Sequence, residues 1–169
     1  MLTPNNKQTG LVLTVSLIML LLLTLIGVTS TNVTTLEEKM AGNARDQNIA
    51  FQAAEAALRG GENQIETIFN FANSFDDTHH DQGLYSKNWA ALDYTSAAQW
   101  ADNASAVYNV AIPLIASQPR YYIKHIISKP SDPLNPASPP VEYFRVTARG
   151  TGRQNSTQVY LQSYYGRKF

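Results

Sequence analysis

The sequence predicts an α+β fold, in which one long N-terminal helix packs on a C-terminal four-stranded antiparallel sheet. Three observations lead to this prediction. An apolar run from Leu11 to Val28 continues into an amphipathic helical pattern. No proline lies between Pro4 and Pro113, so nothing in that stretch breaks a helix by lacking a backbone N–H. Beyond residue 105, apolar residues recur with a period of two, which is typical of strands.

Composition removes several classes of function. The 169 residues include no cysteine, which excludes disulfide frameworks, thiolate metal sites and cysteine catalysis. The formal net charge is zero, which disfavours a nucleic-acid binder that depends on phosphate neutralisation. The charges are nevertheless segregated: acids dominate between Glu37 and Asp102, and bases dominate between Arg120 and Lys168. Such segments are expected to pack together or to face similarly built neighbours.

The first two segments are a leader (1–10) and a membrane-spanning helix (11–35). The leader MLTPNNKQTG carries one base, Lys7, and no acid, which favours a cytoplasmic N-terminus. From Leu11 to Val28 the only polar residues carry hydroxyl groups, which can bond back to their own helix. At 1.5 Å per residue this run covers about 27 Å, close to the hydrocarbon thickness of a bilayer.

A cleaved secretory signal peptide is the competing interpretation of this run. Val28-Thr29-Ser30 would supply the small residues of a cleavage site, and the mature chain would begin near Thr31. The apolar region of a signal peptide is about 7–15 residues long, and the present run is longer. A retained segment is therefore favoured.

The next segment (36–60) is predicted to continue the helix with one apolar face. That face has helical spacing and consists of Leu36, Met40, Ala44, Phe51, Ala54 and Leu58. The dipeptide Gly60-Gly61 is the first expected stop or hinge, and Gly27 and Gly42 are points where the helix could loosen. Because the face is rich in alanine, a second element can approach it closely.

A polar connecting region (61–105) precedes the β head (106–169). Four strands are predicted from alternating residues at 106–112, 121–127, 143–149 and 156–165. Short or loop-like connections imply antiparallel pairing, and the apolar stripe of the helix is the available cover for the sheet. Five prolines between Lys129 and Pro140 predict an extended surface loop without ladder pairing, either a stiff connector or a binding edge.

Two stretches, Thr34–Asp46 and Ala50–Arg59, follow a leader that ends in glycine. Together these features resemble the N-terminal region of the PilX family of type IV pilus minor pilins. The resemblance covers about residues 8–60. It implies a type IV pilin-like fold, with prepilin peptidase cutting between Gly10 and Leu11 and N-methylating Leu11. It also implies incorporation into a fimbrium, with residues 11–35 as the polymerising helix.

One position departs from the usual pilin pattern. Most pilins carry Glu at the fifth mature position, where it pairs with the N-terminal amine of a neighbouring subunit, and here that position is Val15. A carboxylate within the bilayer is costly without a partner. A subunit with nothing above it has no amine to neutralise, so Val15 favours a place at the tip or in initiation.

The sequence contains several candidate catalytic or ligand-binding groups, and none of them is favoured as a site. The segment Asp76–Asp81 holds five metal-ligand side chains in six residues but matches no metal-binding spacing, so a solvated acidic loop is expected. His125 falls on an apolar strand face and is expected to be a hydrogen-bonded core residue. Arg145, Arg149 and Arg153, with Tyr143 and Tyr164 nearby, suggest a strip for single-stranded nucleic acid; solubilising charge, or a partner for an acidic neighbouring segment, is favoured. No enzyme and no cofactor are expected.

The sequence therefore predicts a minor pilin that primes pilus assembly near the tip and supports twitching motility and surface adhesion. Its expected partners are other minor pilins, the major pilin, prepilin peptidase and the inner-membrane assembly platform. It is expected to be a single-pass inner-membrane protein before assembly and to lie in the cell-surface pilus afterwards. Two alternatives stay open: a tip-class pseudopilin of type II secretion, and a membrane-tethered or secreted ligand-binding module.

Overall fold

The computed structural model describes residues 9–77 and 81–169, so most of the leader lies outside the described residues. The chain divides into two compact units, one that ends at Ala44 and one, here called the head, that comprises Arg45–Phe169. The helices are α1 (Thr9–Thr67) and α2 (Phe71–Ser74), with 3₁₀ turns at Asp81–Gly83 and Ala97–Trp100. The strands are β1 (Leu84–Tyr85), β2 (Ala106–Val107), β3 (Arg120–Asp132), β4 (Asn135–Thr151) and β5 (Gln158–Lys168).

The head contains one five-stranded sheet, which confirms the α+β class and corrects the predicted strand number. The order is β1-β3-β4-β5, and β2 pairs with the same edge of β3 as β1 does. The pairs β2–β3, β3–β4 and β4–β5 are antiparallel, whereas β1 lies parallel to β3. The sheet is thus mainly but not purely antiparallel. A two-residue parallel strand is too short to leave a periodic signal in the sequence.

The strand predicted at 106–112 forms only at Ala106–Val107. Its partner β3 begins at Arg120, which pairs with Val107, so no strand lies alongside residues 109–112. Pro113 and Leu114 follow, and Leu114 adopts a left-handed backbone with φ of 65°. The fourth predicted strand is displaced by two or three residues, from 156–165 to Gln158–Lys168.

The proline-rich segment is a two-stranded ribbon, so the prediction of a loop without ladder pairing was wrong. Pro130 pairs with Pro140, and Asp132 pairs with Asn135 across a turn of two residues. The Asp132 carboxylate accepts the N–H of Leu134 at 2.9 Å, which closes the turn. Pairing between β4 and β5 extends only to Val141, so both strands of the ribbon are edges. Proline is tolerated in an edge strand where its missing N–H would point away from the ladder.

Helix α1 does not stop at Gly60-Gly61 but continues to Thr67. A Cβ atom at Gly60 would lie 2.6 Å from the Tyr108 ring, and one at Gly61 would lie 2.6 Å from Val146 Cγ1. The two glycines therefore permit close packing of the helix on the sheet, and the contacts there compensate for their low helix propensity. The helix also passes through Gly27 and Gly42 without interruption.

The helix covers the sheet mainly with alanine, and of the stripe predicted from Leu36 to Leu58 only Ala54 and Leu58 contribute. Leu36, Met40 and Phe51 are exposed, as is Ala44, so that part of the prediction was wrong. The fully buried helix residues in the head include Ala50, Ala53, Ala54, Ala57 and Ile65. They meet a core built largely from β3 and β4, in which Ile123, Phe144, Val146 and Ala148 have no exposed surface.

The opposite face of the sheet carries a second layer that the sequence did not reveal. Tyr85 and Trp100, from the segment between α2 and β2, pack on Tyr122 with ring centroids 5.9 and 5.4 Å away. Trp100 also lies 5.7 Å from the ring of Tyr160 on β5. Part of the polar connecting region therefore belongs to the core of the head, because its aromatic residues cover a face that was expected to be solvated.

Candidate functional site

The most distinctive surface outside the head is the apolar portion of α1. Among the described residues, α1 is the one helix that is long and apolar enough to cross a membrane. From Leu11 to Leu36 its large apolar side chains are each about half or more exposed. Water contact is unfavourable for such a surface, so it needs lipid or other apolar helices around it.

The hydroxyl side chains between Leu11 and Val28 are bonded inside the helix, as expected from the sequence. Thr14 Oγ1 donates to the Gly10 carbonyl at 2.9 Å, and Ser16 Oγ donates to the Leu13 carbonyl at 2.9 Å. The same bonding recurs at Thr24, Thr29, Thr31, Thr34 and Thr35. Since the backbone is also bonded within the helix, no polar group between Leu11 and Val28 requires water. The segment can therefore occupy lipid or a bundle of apolar helices.

The three positions singled out near the start of this helix lie in its first turns. Gly10 is in helical conformation, and a Cβ atom built on it would meet nothing within 4 Å. Packing within the described residues therefore does not require glycine at that position. Leu11 and Val15 face a shallow apolar depression that also includes Met19 and Leu23. Val15 is half-exposed and brings no charge to this surface.

Within the head, several acidic side chains of α1 meet the basic and hydroxyl side chains of the sheet. Glu62 accepts from Ser163 Oγ at 2.7 Å, and Glu66 contacts Arg167, with 3.8 Å between Nε and Oε2. The Asp46 carboxylate accepts the N–H of Arg153 at 2.6 Å. The segregated charges are thus partly satisfied between helix and sheet. Sequence reasoning had not assigned these contacts to particular residues.

The prediction for His125 is confirmed. Its ring lies in the core, 4.9 Å from the ring of Phe71 and 5.6 Å from that of Phe144. The ring Nε2 lies 2.7 Å from an oxygen of Glu142, which also accepts from Ser128. Both members of the pair are nearly fully buried. The Glu142 carboxylate therefore has two polar partners in apolar surroundings, and the His125–Glu142 pair has a structural role.

The acidic segment Asp76–Asp81 lies only partly within the described residues. Residues 78–80 lie outside the described residues, so its metal-binding capacity stays a prediction in either direction. At its described beginning, Asp77 accepts from Asn88 Nδ2 at 2.7 Å. Elsewhere, over 9–77 and 81–169, no group of three metal-ligating side chains converges.

The three arginines that suggested a nucleic-acid strip, an interpretation that was not favoured, have three different environments. Arg149 lies under Trp100, with its guanidinium carbon 5.0 Å from the ring centroid, and burial lowers its pKa from the usual range. Arg153 lies in the turn before β5, where its N–H bonds to Asp46. Arg145 remains beside Tyr143 and Tyr164 on the uncovered part of the sheet. The structure therefore does not bring the three arginines together into one strip.

Comparison with known proteins gives matches at the level of family models. A model described as PilX N-terminal matches residues 9–59, and a model described as type IV pilus assembly protein PilX C-term matches residues 39–167. Together the two models cover both units of the chain. No curated protein and no solved structure matches it.

Proposed function

Because the chain belongs to the PilX family of type IV pilus minor pilins, we propose that it lies at or near the pilus tip and primes assembly with other minor pilins. The observation that carries this proposal is the apolar portion of α1, whose three hydroxyl side chains between Leu11 and Val28 are all bonded within the helix. The segment suits both the inner membrane and the helical core of a filament, because neither supplies water to the backbone.

Processing between Gly10 and Leu11 is part of the proposal. The space around Gly10 is open, so its lack of a side chain is not required by packing among the described residues. A demand from outside the chain, namely close approach of the backbone to the active site of prepilin peptidase, accounts for a glycine there. The new N-terminal amine at Leu11 would then be methylated, with the leader on the cytoplasmic side.

The apolar residue at position 15 supports a location of the chain near the pilus tip. A carboxylate at the centre of a bilayer costs about 2.5–3.5 kcal/mol on insertion scales, and one within a membrane helix is retained where a partner compensates for it. Val15 stands in an apolar depression and offers nothing to the amine of a subunit above. A subunit that is added first has no such amine to bind, and its apolar residue avoids the cost.

The test is N-terminal sequencing and intact-mass analysis of the chain from membranes and from sheared pili, with and without prepilin peptidase. A mature chain that begins at N-methylated Leu11 and is present in sheared pili is expected. Gly10→Leu should block cleavage, whereas Gly27→Leu, at an equally open helical glycine, should be cut normally. A chain that begins near Thr31, or an uncut chain absent from pili, contradicts the proposal.

The position in the filament needs a separate measurement. Immunogold labelling of the head should mark one end of a pilus, and deletion of the protein should reduce the number of pili and hence twitching and surface attachment. Labelling along the whole length would contradict a tip location. Normal piliation combined with a secretion defect would instead identify a type II secretion pseudopilin.

A further inference from the structure

One half of the second sheet face is covered and the other half is open. At the covered end, the ring of Tyr160 lies 5.6 Å from Tyr94 and 5.7 Å from Trp100. Four residues further along the same strand, and therefore on the same face, Tyr164 is 69% exposed. The layer between α2 and β2 thus stops short of Tyr164, although its Trp89 and Ala90 carbonyls still reach Lys124, so the surface at this end is only partly covered by the residues that the structure describes.

Four side chains form this open surface, here called the open basic patch: Lys124, Tyr143, Arg145 and Tyr164. Arg145 on β4 pairs in register with Lys124 on β3 and with Tyr164 on β5, which places the three side chains side by side. Tyr143 precedes Arg145 by two residues and shares its face. Tyr143 is 38% exposed, so both tyrosine rings flank the arginine and reach solvent.

The two cations of the patch have no anionic partner. Lys124 Nζ donates to the neutral carbonyls of Trp89 at 2.8 Å and Ala90 at 3.2 Å. Arg145 Nε is buried and makes no hydrogen bond. Over the described residues, no ion pair joins a carboxylate to either side chain, whereas Arg120 and Arg167 are paired with Asp102 and Glu66.

Two like charges directly opposite each other on neighbouring strands are destabilising. Burial, and to a smaller extent the charge of Arg145, lowers the pKa of Lys124. The arrangement therefore carries a cost in the isolated head that an anion placed over Arg145 would relieve. A carboxylate can accept two parallel N–H bonds from a guanidinium, which gives both energy and orientation.

We propose that the open basic patch binds an acidic segment of a neighbouring pilin head, with Arg145 as the charged anchor and the two tyrosines as flanking contact surfaces. This inference rests on the proposed function, because it takes its partner from among the pilus subunits. Tyrosine and arginine are enriched in the energetically dominant parts of protein interfaces. Nucleic acid is a poorer match, since two cations neutralise few phosphates, while duplex binders make about 6–10 phosphate contacts.

The test replaces Tyr164 in the full-length chain with a photo-reactive phenylalanine analogue in piliated cells. Irradiation should cross-link the chain to an acidic segment of another pilin, identified by mass spectrometry. Adding Arg145→Glu should lower the cross-linking yield at least about tenfold, because a carboxylate would then face a carboxylate. Lys129→Glu makes the same change of charge on the exposed ribbon and should leave the yield unchanged.

Several outcomes would overturn the inference. These are a yield unaffected by Arg145→Glu, cross-links to nucleic acid that a nuclease removes, or no cross-link although the chain is present in sheared pili. All three would leave the proposed function standing. An uncut chain that is absent from pili would instead overturn both proposals. If Arg145→Glu fails to accumulate, Arg145→Gln is tested instead. The cross-linking yield in membrane extracts should fall with salt concentration when Arg145 is present and should not depend on salt in Arg145→Gln.

Discussion

At the residue scale, glycine and alanine positions determine how closely helix and sheet approach. Gly150 on β4 lies directly against the backbone of α1: a Cβ atom there would come within 2.2 Å of the Ala50 carbonyl oxygen and 2.3 Å of the Ala54 nitrogen. Ala50 and Ala54 are themselves fully buried. Backbone packs on backbone at this point, and no side chain is available to move aside.

Gly150→Ala is therefore expected to destabilise the head. Overpacking of a rigid contact costs about 1–3 kcal/mol of the free energy of unfolding. Urea denaturation of the detergent-solubilised chain measures this quantity through tryptophan fluorescence, since both tryptophans, Trp89 and Trp100, lie in the head. Gly42→Ala, at an open helical position outside the head, is the matched control and should leave the midpoint unchanged. Equal midpoints for the two variants would contradict the packing argument.

Asp46 connects the beginning of the head to the turn before β5. Hydrogen bonds from the Thr157 hydroxyl and, next in importance, from the Arg153 N–H hold the pKa of this carboxyl below its ordinary value. A pKa that is lower in the folded state than in the unfolded state stabilises the fold above the unfolded pKa. That contribution disappears as the pH falls through the folded pKa.

Asp46→Asn is accordingly expected to cost stability at neutral pH and progressively less as the pH falls below about 4. The measurement is the difference in unfolding midpoint between the wild-type chain and the variant across pH 2–7. Glu38→Gln removes an acid outside the head and should show no such convergence. A difference for Asp46→Asn that stays constant down to the lowest pH would show that ionisation of this carboxyl does not stabilise the turn.

At the scale of elements, the β3–β4 ribbon extends beyond the core that the helix covers. The residues from Lys129 to Val141 are exposed or half-buried, and Leu134 at the turn is 94% exposed. The buried residues of β3 lie near its beginning and those of β4 lie near its end, which in both strands is the end away from the ribbon turn. The ribbon therefore contributes pairing but little apolar burial.

Replacing residues 130–140 with Asn-Gly should leave the head folded. This dipeptide favours the two-residue hairpin turn that would join Lys129 to its register partner Val141. The free energy of unfolding is expected to change by less than about 1 kcal/mol, because surface changes away from packed features have small effects. The urea midpoint and the tryptophan emission maximum check this. A loss of cooperative unfolding would show that the ribbon supports the core.

At the scale of the whole molecule, the two compact units need different surroundings. Among the residues whose burial the structure describes, the buried ones all lie within Arg45–Phe169, whereas the described helix before Arg45 is exposed along its length. A chain that begins at Arg45 thus keeps the complete buried core and discards the apolar surface that demands lipid or neighbouring helices. The head should then be able to fold without a membrane.

We expect residues 45–169, expressed alone, to be soluble and to unfold in one cooperative transition. Size-exclusion chromatography without detergent and urea denaturation followed by tryptophan fluorescence are the measurements. The full-length chain, which retains residues 11–35, should require detergent under the same conditions. Aggregation of the truncated chain would show that the head depends on the part of α1 before Arg45.

The sequence by itself determined the long N-terminal helix, its apolar portion, the strand faces around Phe144 and the buried role of His125. It also determined the family, through residues within that helix, Thr34–Asp46 and Ala50–Arg59. These features depend on local periodicity and on motifs contiguous in the chain, which are readable without coordinates.

Only the tertiary structure decided which helix face meets the sheet, because buried alanines and glycines carry a weak hydrophobic signal and are selected by how closely two backbones approach. It also decided that Tyr85 and Trp100 cover the second sheet face, that the prolines pair in a ribbon, and that Arg145 is left beside Lys124 without an anion. Each of these depends on strand register and on contacts between residues distant in sequence, and side-chain chemistry alone does not specify them.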